Sequence, residues 1–435
     1  MSGQRFLSGS REQVLLLPPD VREWLPPDHL VWAVCEAVER LDFSRFEAGY
    51  REDGQGRPAY DPRLMATLLL YAYAVGERSS RAIERRCRED VAFRVAACGL
   101  LPDHVTIARF RRRHAEALIG LFGGVLALCA QAGLVRVGLV AIDGTGIRAN
   151  ANPDRLIDPG ELADEARRLL AEAEAADAHE QTLDADEQRA RRGLLPESLA
   201  GERQRRERFD AAAERLADAA GAAAPEPLRE RARRPPTTAH ERGRARTRAR
   251  RGKRNRTDPD SRILRTRGGF IQGYNAQVAV EQSHLIVACA VSNRNDYHQL
   301  SPMVARTEQA LQQAAIKHAP GVYLADGGYW SSTAVEELQA HRRRLLVKPT
   351  GPQPIHGRYA RPTAAAMRRR LAHPANRRRY RRRQALVEPV IAHLKHLRRL
   401  DRLLLRGLAG AELEWTLACT AHNLTRLARL QGATT

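Results

Sequence analysis

The sequence predicts an α/β fold from three features. Residues 28–114 carry apolar side chains almost wholly at helical spacing. Apolar runs of strand length begin only beyond residue 136. A long charged segment of helix-forming residues separates the first of those runs from the others. The order is therefore an all-helical amino-terminal region, one strand, an insertion, and then the remaining strands and helices.

In the amino-terminal region Pro26-Pro27 marks a helix start, and Leu30, Val31, Val34, Val38 and Leu41 define one apolar face. Residues 56–62 read as a turn, in which Asp61 caps the next helix and Pro62 occupies its first turn. That helix, Arg63–Val75, is nearly all apolar and is expected to be central. Gly76, Ser79 and Ser80 break the chain before a short helix with Arg81, Arg85, Arg86 and Arg88. Thr106 is expected to cap a further helix that presents Arg109, Arg112 and Arg113. An arginine-faced helix suits DNA phosphates, although a solvated face on an ordinary helix has the same pattern.

The insertion has two parts. Glu161–Glu230 holds 18 acids and 11 arginines with abundant alanine, which predicts a helical arm. Arg231–Arg256 holds 12 Lys/Arg against Glu241 alone, so a flexible strip for DNA phosphates is expected there.

Three carboxylates on separate elements are the catalytic candidates. Val137–Ile142 reads as a strand ending at Asp143, with Gly144 turning the backbone away. Gly269–Val280 and His284–Val291 read as paired strands closed by Asn293, Asn295 and Asp296, and a helix follows over Ser301–Ile316. Val322–Ala325 then repeats the first device, an apolar strand running into Asp326-Gly327. After a strand at Arg344–Val347, Leu386, Val390, Ile391 and Leu394 give one helix face, with Glu388 and Lys395 two turns apart on a shared side. Residues 368–406 carry 14 Lys/Arg and two acids, so Glu388 stands out there. Each acid alone also fits a turn or a salt bridge.

Net charge is +21, with 68 arginines and only four lysines, which favours a polyanionic partner. Six scattered cysteines without a CxxC pair argue against a disulfide scaffold or zinc cluster and for buried thiols in a reducing cytoplasm. Met1 to Pro18 shows no secretory pattern, and the apolar stretches 65–75 and 118–135 are too short or interrupted for a membrane span.

Three acids within a basic chain suit phosphodiester chemistry assisted by two divalent ions, since Mg²⁺ prefers oxygen ligands and keeps open positions. Asp143, Asp326 and Glu388 are accordingly expected to bind two Mg²⁺ ions, with Mn²⁺ as a substitute.

The strings at 56–94, 102–114, VAIDGTGIRANA (140–151), TDPDSRI (257–263), GYNAQVAV (273–280), LADGGYWS (324–331) and 387–407 together resemble the DDE transposases of bacterial insertion sequences. The resemblance implies a ribonuclease-H-like mixed sheet flanked by helices, split by the insertion, behind an all-helical DNA-binding domain. It makes Asp143, Asp326 and Glu388 the catalytic acids. It matches Tyr380, Arg383 and Lys395 to the family's tyrosine-arginine-glutamate-lysine signature, which places DNA around the last acid. Arg383 lies five residues before Glu388, whereas the family spacing is four, a place held here by Gln384. Gly146 stands where a basic residue is usual.

The expected organisation is a helical domain at 20–130, the first part of the catalytic core at 136–155, the insertion at 156–256 and the second part of the core at 257–427. Double-stranded DNA, both terminal inverted repeats and target, is the expected partner, handled by a homo-oligomer and without a membrane. A metal-dependent nuclease that does not transpose, and a catalytically idle DNA-binding regulator, are the alternatives.

Overall fold

A computed structural model of the chain describes residues 20–48, 50, 59–157, 161, 164, 168, 253–266, 269–350 and 362–432. Its amino-terminal part is helical: α1 (Leu30–Glu39), α2 (Pro62–Ala74), α3 (Ser80–Glu89), α4 (Val91–Ala96), α5 (His104–Arg113) and α6 (Ala115–Gln131). α2 starts as its sequence predicts: the Asp61 carboxylate accepts from the Arg63 N–H at 2.7 Å and Pro62 sits in the first turn. Every residue from Met65 to Tyr73 is buried, so α2 is central. Two expected starts move. α1 is capped by His29, whose ring accepts from the Val31 N–H, not opened by the proline pair. α5 is capped by Asp103, which accepts from the Thr106 N–H at 2.6 Å, so Thr106 lies inside the first turn.

The carboxy-terminal part is a mixed sheet flanked by helices. It contains β1 (Leu139–Arg148), β2 (Arg262–Thr266), β3 (Gly269–Val280), β4 (Ile286–Ser292), α7 (Leu300–Gln313), β5 (Val322–Ala325), α8 (Ser332–Ala340), β6 (Leu345–Val347), α9 (Pro362–Ala372), α10 (Pro374–Ala392) and α11 (Gly407–Gly432). β3 is antiparallel to β1, β2 and β4, whereas β1, β5 and β6 are mutually parallel. The path runs β2–β3–β1–β5–β6, with β4 also paired to β3.

Alternation along the strands feeds two cores, one on each face of the sheet. Leu139, Ala141, Val322, Leu324 and Leu346 join the core shared with the amino-terminal helices and α11. Val140, Ile142, Tyr323, Ala325, Leu345 and Val347 pack instead with Met303 of α7, Val335 of α8 and Met367 of α9. α11 touches α2, α6 and β4 and ties the helical part to the sheet. Its Trp415 is fully buried and donates to the Gln277 carbonyl at 3.0 Å.

The start of α11 accounts for TDPDSRI at 257–263. Asp258 accepts from the Tyr274 hydroxyl at 2.6 Å and from the Gly407 N–H, and Asp260 accepts from the Leu408 N–H at 2.9 Å. These acids cap a helix, where negative charge is favourable.

Most of the insertion lies outside the described residues, so the helical arm and most of the basic strip are not placed. The two ends of the insertion meet, because Leu156–Ile157 and Arg254–Asn255 form an antiparallel pair. The last residues of the basic run are therefore strand. Among the described residues no single helix is long and apolar enough to cross a membrane.

Candidate functional site

The strand register places the two aspartates side by side. β1 pairs with β5 only as far as Ile142 opposite Ala325, where β5 ends. Asp143 is the next residue of β1, and Asp326 is the next after Ala325. Asp326 caps the short 3-10 turn Gly327–Tyr329 by accepting from the Gly328 N–H at 2.8 Å. The sequence places Asp143 at a strand end with a turn after it. In the structure β1 continues to Arg148, because β3 pairs with it all the way, Gly144 opposite Gln277 among the pairs. Gly144 is needed for space and not for a turn: a methyl there would run into Asn275 Oδ1, Gln277 Nε2 and Asp296 Oδ1.

α10 forms the facing wall, with Leu386, Val387 and Val390 buried in the core shared with α11. Its Tyr380 hydroxyl donates to the Ala325 carbonyl at 3.3 Å, which pins the helix to the residue before Asp326. Arg383 donates to Asp143 Oδ2 at 2.8 Å. Gln384, at the family's usual arginine position, is exposed, so the arginine that reaches the acids is Arg383. Glu388 is exposed on the cleft wall. Pro389 lies within α10, and a π-helical turn follows over His393–Leu397. That turn carries Lys395, whose ammonium donates to Thr145 Oγ1 and to the Gly146 carbonyl, both at 3.1 Å.

Asp143, Asp326, Glu388, Arg383 and Lys395 thus line one open cleft of about 1250 Å³. The loop after β4 contributes Asp296, and the edge strand β2 contributes residues 262–266. Burial pushes the Asp143 carboxyl up to about 6 against the pull of Arg383, and the neighbouring Asp326 pushes it the same way. Burial also lowers Lys395, opposed by Asp401 and assisted by Arg148.

The expectation of bound Mg²⁺ or Mn²⁺ is corrected by the geometry. Among the described residues no group of three or more His, Cys, Asp or Glu side chains is arranged to hold a metal ion. Arg383 occupies one oxygen of Asp143, and the other accepts from the Gly144 N–H at 2.9 Å. Asp326 is turned onto its own capping bond, and Glu388 stands on the helical wall. The acids share a cleft but not a metal-ligand cluster.

The predicted DNA-facing arginines of α5 are not among the cleft-lining residues. Arg109, Arg112 and Arg113 are exposed, and the Arg113 guanidinium stacks on the Tyr50 ring at 4.6 Å. Arg111 between them is buried and donates to the Tyr73 hydroxyl, the Arg78 carbonyl and Ser80 Oγ.

Asp296 reads in the sequence only as part of the loop that closes a hairpin. Its carboxylate accepts from Asn275 Nδ2 and from Gln277 Nε2, each at 2.8 Å. The signal was present in GYNAQVAV (273–280), where two amides stand two apart on a strand and therefore share a face.

A family model described as "Transposase domain (DUF772)" matches residues 19–113, and one described as "Transposase DDE domain" matches residues 237–424. With most of the chain spanned by the two, this protein belongs to the DDE transposases. That architecture is the one for DNA cleavage and strand transfer, and it makes DNA the partner in general terms. No curated protein and no solved structure matches the chain.

Proposed function

We propose that the cleft is the place where this enzyme cuts the ends of an insertion sequence and joins them to target DNA, with Asp143, Asp326 and Glu388 as its catalytic acids. The observation that carries the reading is the lining of one cleft by all three acids together with Arg383 and Lys395. A ribonuclease-H-like sheet is supported by the strand order, three antiparallel strands (β4, β3, β1) followed by the parallel pair β5 and β6.

In the cleavage step a water oxygen attacks phosphorus, the bond from phosphorus to the 3′ oxygen breaks, and the leaving oxygen takes a proton. In strand transfer the freed 3′ hydroxyl makes the same attack on the target. Both steps need the attacking oxygen to lose a proton. Asp143, held near 6 in the cleft, is the carboxylate tuned to accept it close to neutral pH. Asp326 and Glu388 flank the same space and orient the attacking group. Arg383 and Lys395 supply the fixed positive charge that the phosphoryl oxygens need as charge builds on them.

The exposed arginines of α5 would hold one terminal repeat by its phosphates. Because an element has two ends and one chain presents one such cleft among its described residues, we propose that a homo-oligomer joins them. The test is purified protein with labelled DNA carrying the element's own flanking repeats and an unlabelled target. Label joined covalently to the target supports transposition. Cut ends without joining support the nuclease reading, and intact DNA supports the regulator.

A further inference from the structure

The cleft holds a fourth carboxylate that none of the preceding roles uses. Asp296 follows β4, and one of its oxygens, Oδ1, accepts from both Asn275 and Gln277 of β3 at 2.8 Å. Gln277 is the register partner of Gly144, and its neighbour Val278 is the partner of Asp143. The other end of the Gln277 amide, Oε1, accepts from the Tyr329 hydroxyl. Tyr329 is fully buried and closes the 3-10 turn that Asp326 caps. One hydrogen-bonded chain therefore runs from Asp296 through Gln277 to Tyr329. It links the strand beside Asp143 to the turn that carries Asp326.

We propose that Asp296 is a positioning residue that, by orienting the Gln277 amide, anchors the Asp326 turn and so fine-tunes the placement of Asp326 beside Asp143 that the β1–β5 register sets. An amide can present its oxygen or its nitrogen to either side. A carboxylate accepts only, so Asp296 obliges Gln277 to turn its NH₂ toward it and its oxygen toward Tyr329. The tyrosine must then remain a donor. Burial together with Asp296, Asp143 and Asp326 raises its hydroxyl well above the ordinary range, so it keeps its proton. The space is made for this arrangement, since any side chain at Gly144 would displace the same three polar groups. Without the acceptor, Gln277 is free to rotate, and the Asp326 turn loses its hydrogen bond to β3, the strand beside Asp143. A misplacement of about 1 Å at a reacting group costs about 100-fold in rate.

The inference rests on the catalytic reading of Asp143 and Asp326, and the experiment separates the two. Single-turnover cleavage and equilibrium binding of labelled end DNA are measured for the wild type, Asp143→Asn, Asp296→Ala, Asp296→Asn, Tyr329→Phe and the Asp296→Ala/Tyr329→Phe double variant. We expect Asp296→Ala to cleave about 100-fold more slowly with DNA affinity within about twofold. Asp296→Asn, which keeps an accepting oxygen, should recover at least about tenfold of that loss. Because both residues act through Gln277, the double variant should be little slower than the slower single one. Loss of cleavage in Asp143→Asn with wild-type cleavage in Asp296→Ala would overturn this inference alone. So would cleavage and affinity falling together, or losses that multiply in the double variant. Undiminished cleavage in Asp143→Asn would overturn the catalytic reading itself. If Asp296→Ala does not fold, the smaller change Tyr329→Phe decides: a rate loss of at least about tenfold at unchanged affinity supports the chain, and a wild-type rate refutes it.

Discussion

Arg383 of α10 donates to Asp143 Oδ2 of β1 at 2.8 Å, so the helix bearing the last acid is bound directly to the strand bearing the first. This hydrogen bond joins residues 240 apart in sequence. It also decides the electrostatics of the cleft. Burial raises the Asp143 carboxyl, and Arg383 is the largest influence holding it down to about 6.

Removing that guanidinium leaves only the Gly144 N–H against burial and the Asp326 charge. In Arg383→Ala the Asp143 carboxyl should therefore titrate above 6, and the pH at which cleavage reaches half its maximum should move upward. A pH–rate profile of single-turnover cleavage checks this. A half-maximal pH unchanged or lowered in the variant would contradict the role given to the pair.

The α5 arginines separate a surface role from a buried one. Arg109→Ala, Arg112→Ala and Arg113→Ala together should weaken DNA binding. They should reduce the slope of log affinity against log salt by about one for each phosphate that is no longer neutralised, with little change in Tm. Arg111→Ala should instead lower stability by about 3 kcal/mol, since it strands the Tyr73 hydroxyl and the Arg78 carbonyl in the core, and should leave the salt slope unchanged. Salt titrations beside thermal melts test both halves. An unaltered slope in the triple variant would remove α5 from the DNA surface.

A histidine pair, His422 buried and His393 half-buried, makes stability depend on pH. The His422 Nε2–H donates to the His284 carbonyl at 2.9 Å, so in the neutral ring Nδ1 accepts from His393 Nδ1 at 3.2 Å. Burial pushes His422 down to about 3 and His393 down to about 4, and Arg398 and Arg426 push both the same way. Both rings are therefore neutral when folded, while the unfolded chain takes up their protons below about 6.5. The unfolded state binds more protons between those values, so stability is complete above about 6.5 and falls as pH drops toward 4. His422→Gln should flatten this part of the Tm-against-pH curve. Parallel curves for variant and wild type would show that the pair does not carry the dependence.

Much of this was legible in the sequence where one local pattern decides the outcome. β3 and β5 fall on their predicted residues, because apolar alternation and a following Asp-Gly mark them without help from distant groups. The Asp61–Pro62 start of α2 is equally local. The same Asp-Gly pattern misled at Asp143, where pairing with β3 extends the strand through Gly144 to Arg148. β2 has only partly buried or exposed residues and lacks the apolar signal that a strand needs to be seen. Arg398 reads as a member of the basic run 368–406, and Arg78 carries no signal of its own. Arg78 is paired with Glu414, 336 residues away, and Arg398 is buried against the Tyr73 carbonyl and Thr425. Asp296 was hidden for a related reason, since its partners lie on another strand. The divalent-ion expectation failed on geometry that no spacing encodes: an arginine and a backbone N–H take both oxygens of Asp143, a capping N–H takes one of Asp326, and no three acids cluster among the described residues.

The most direct measurement is cleavage of labelled end DNA by Asp143→Asn, Asp326→Asn and Glu388→Gln, each compared with the wild type for cutting and for binding. The account predicts that each variant binds DNA within about threefold of the wild type and loses cleavage by at least about 1000-fold, as expected when an acid of the reaction is made neutral without a change of shape. Cleavage at the wild-type rate by any one of the three would contradict it.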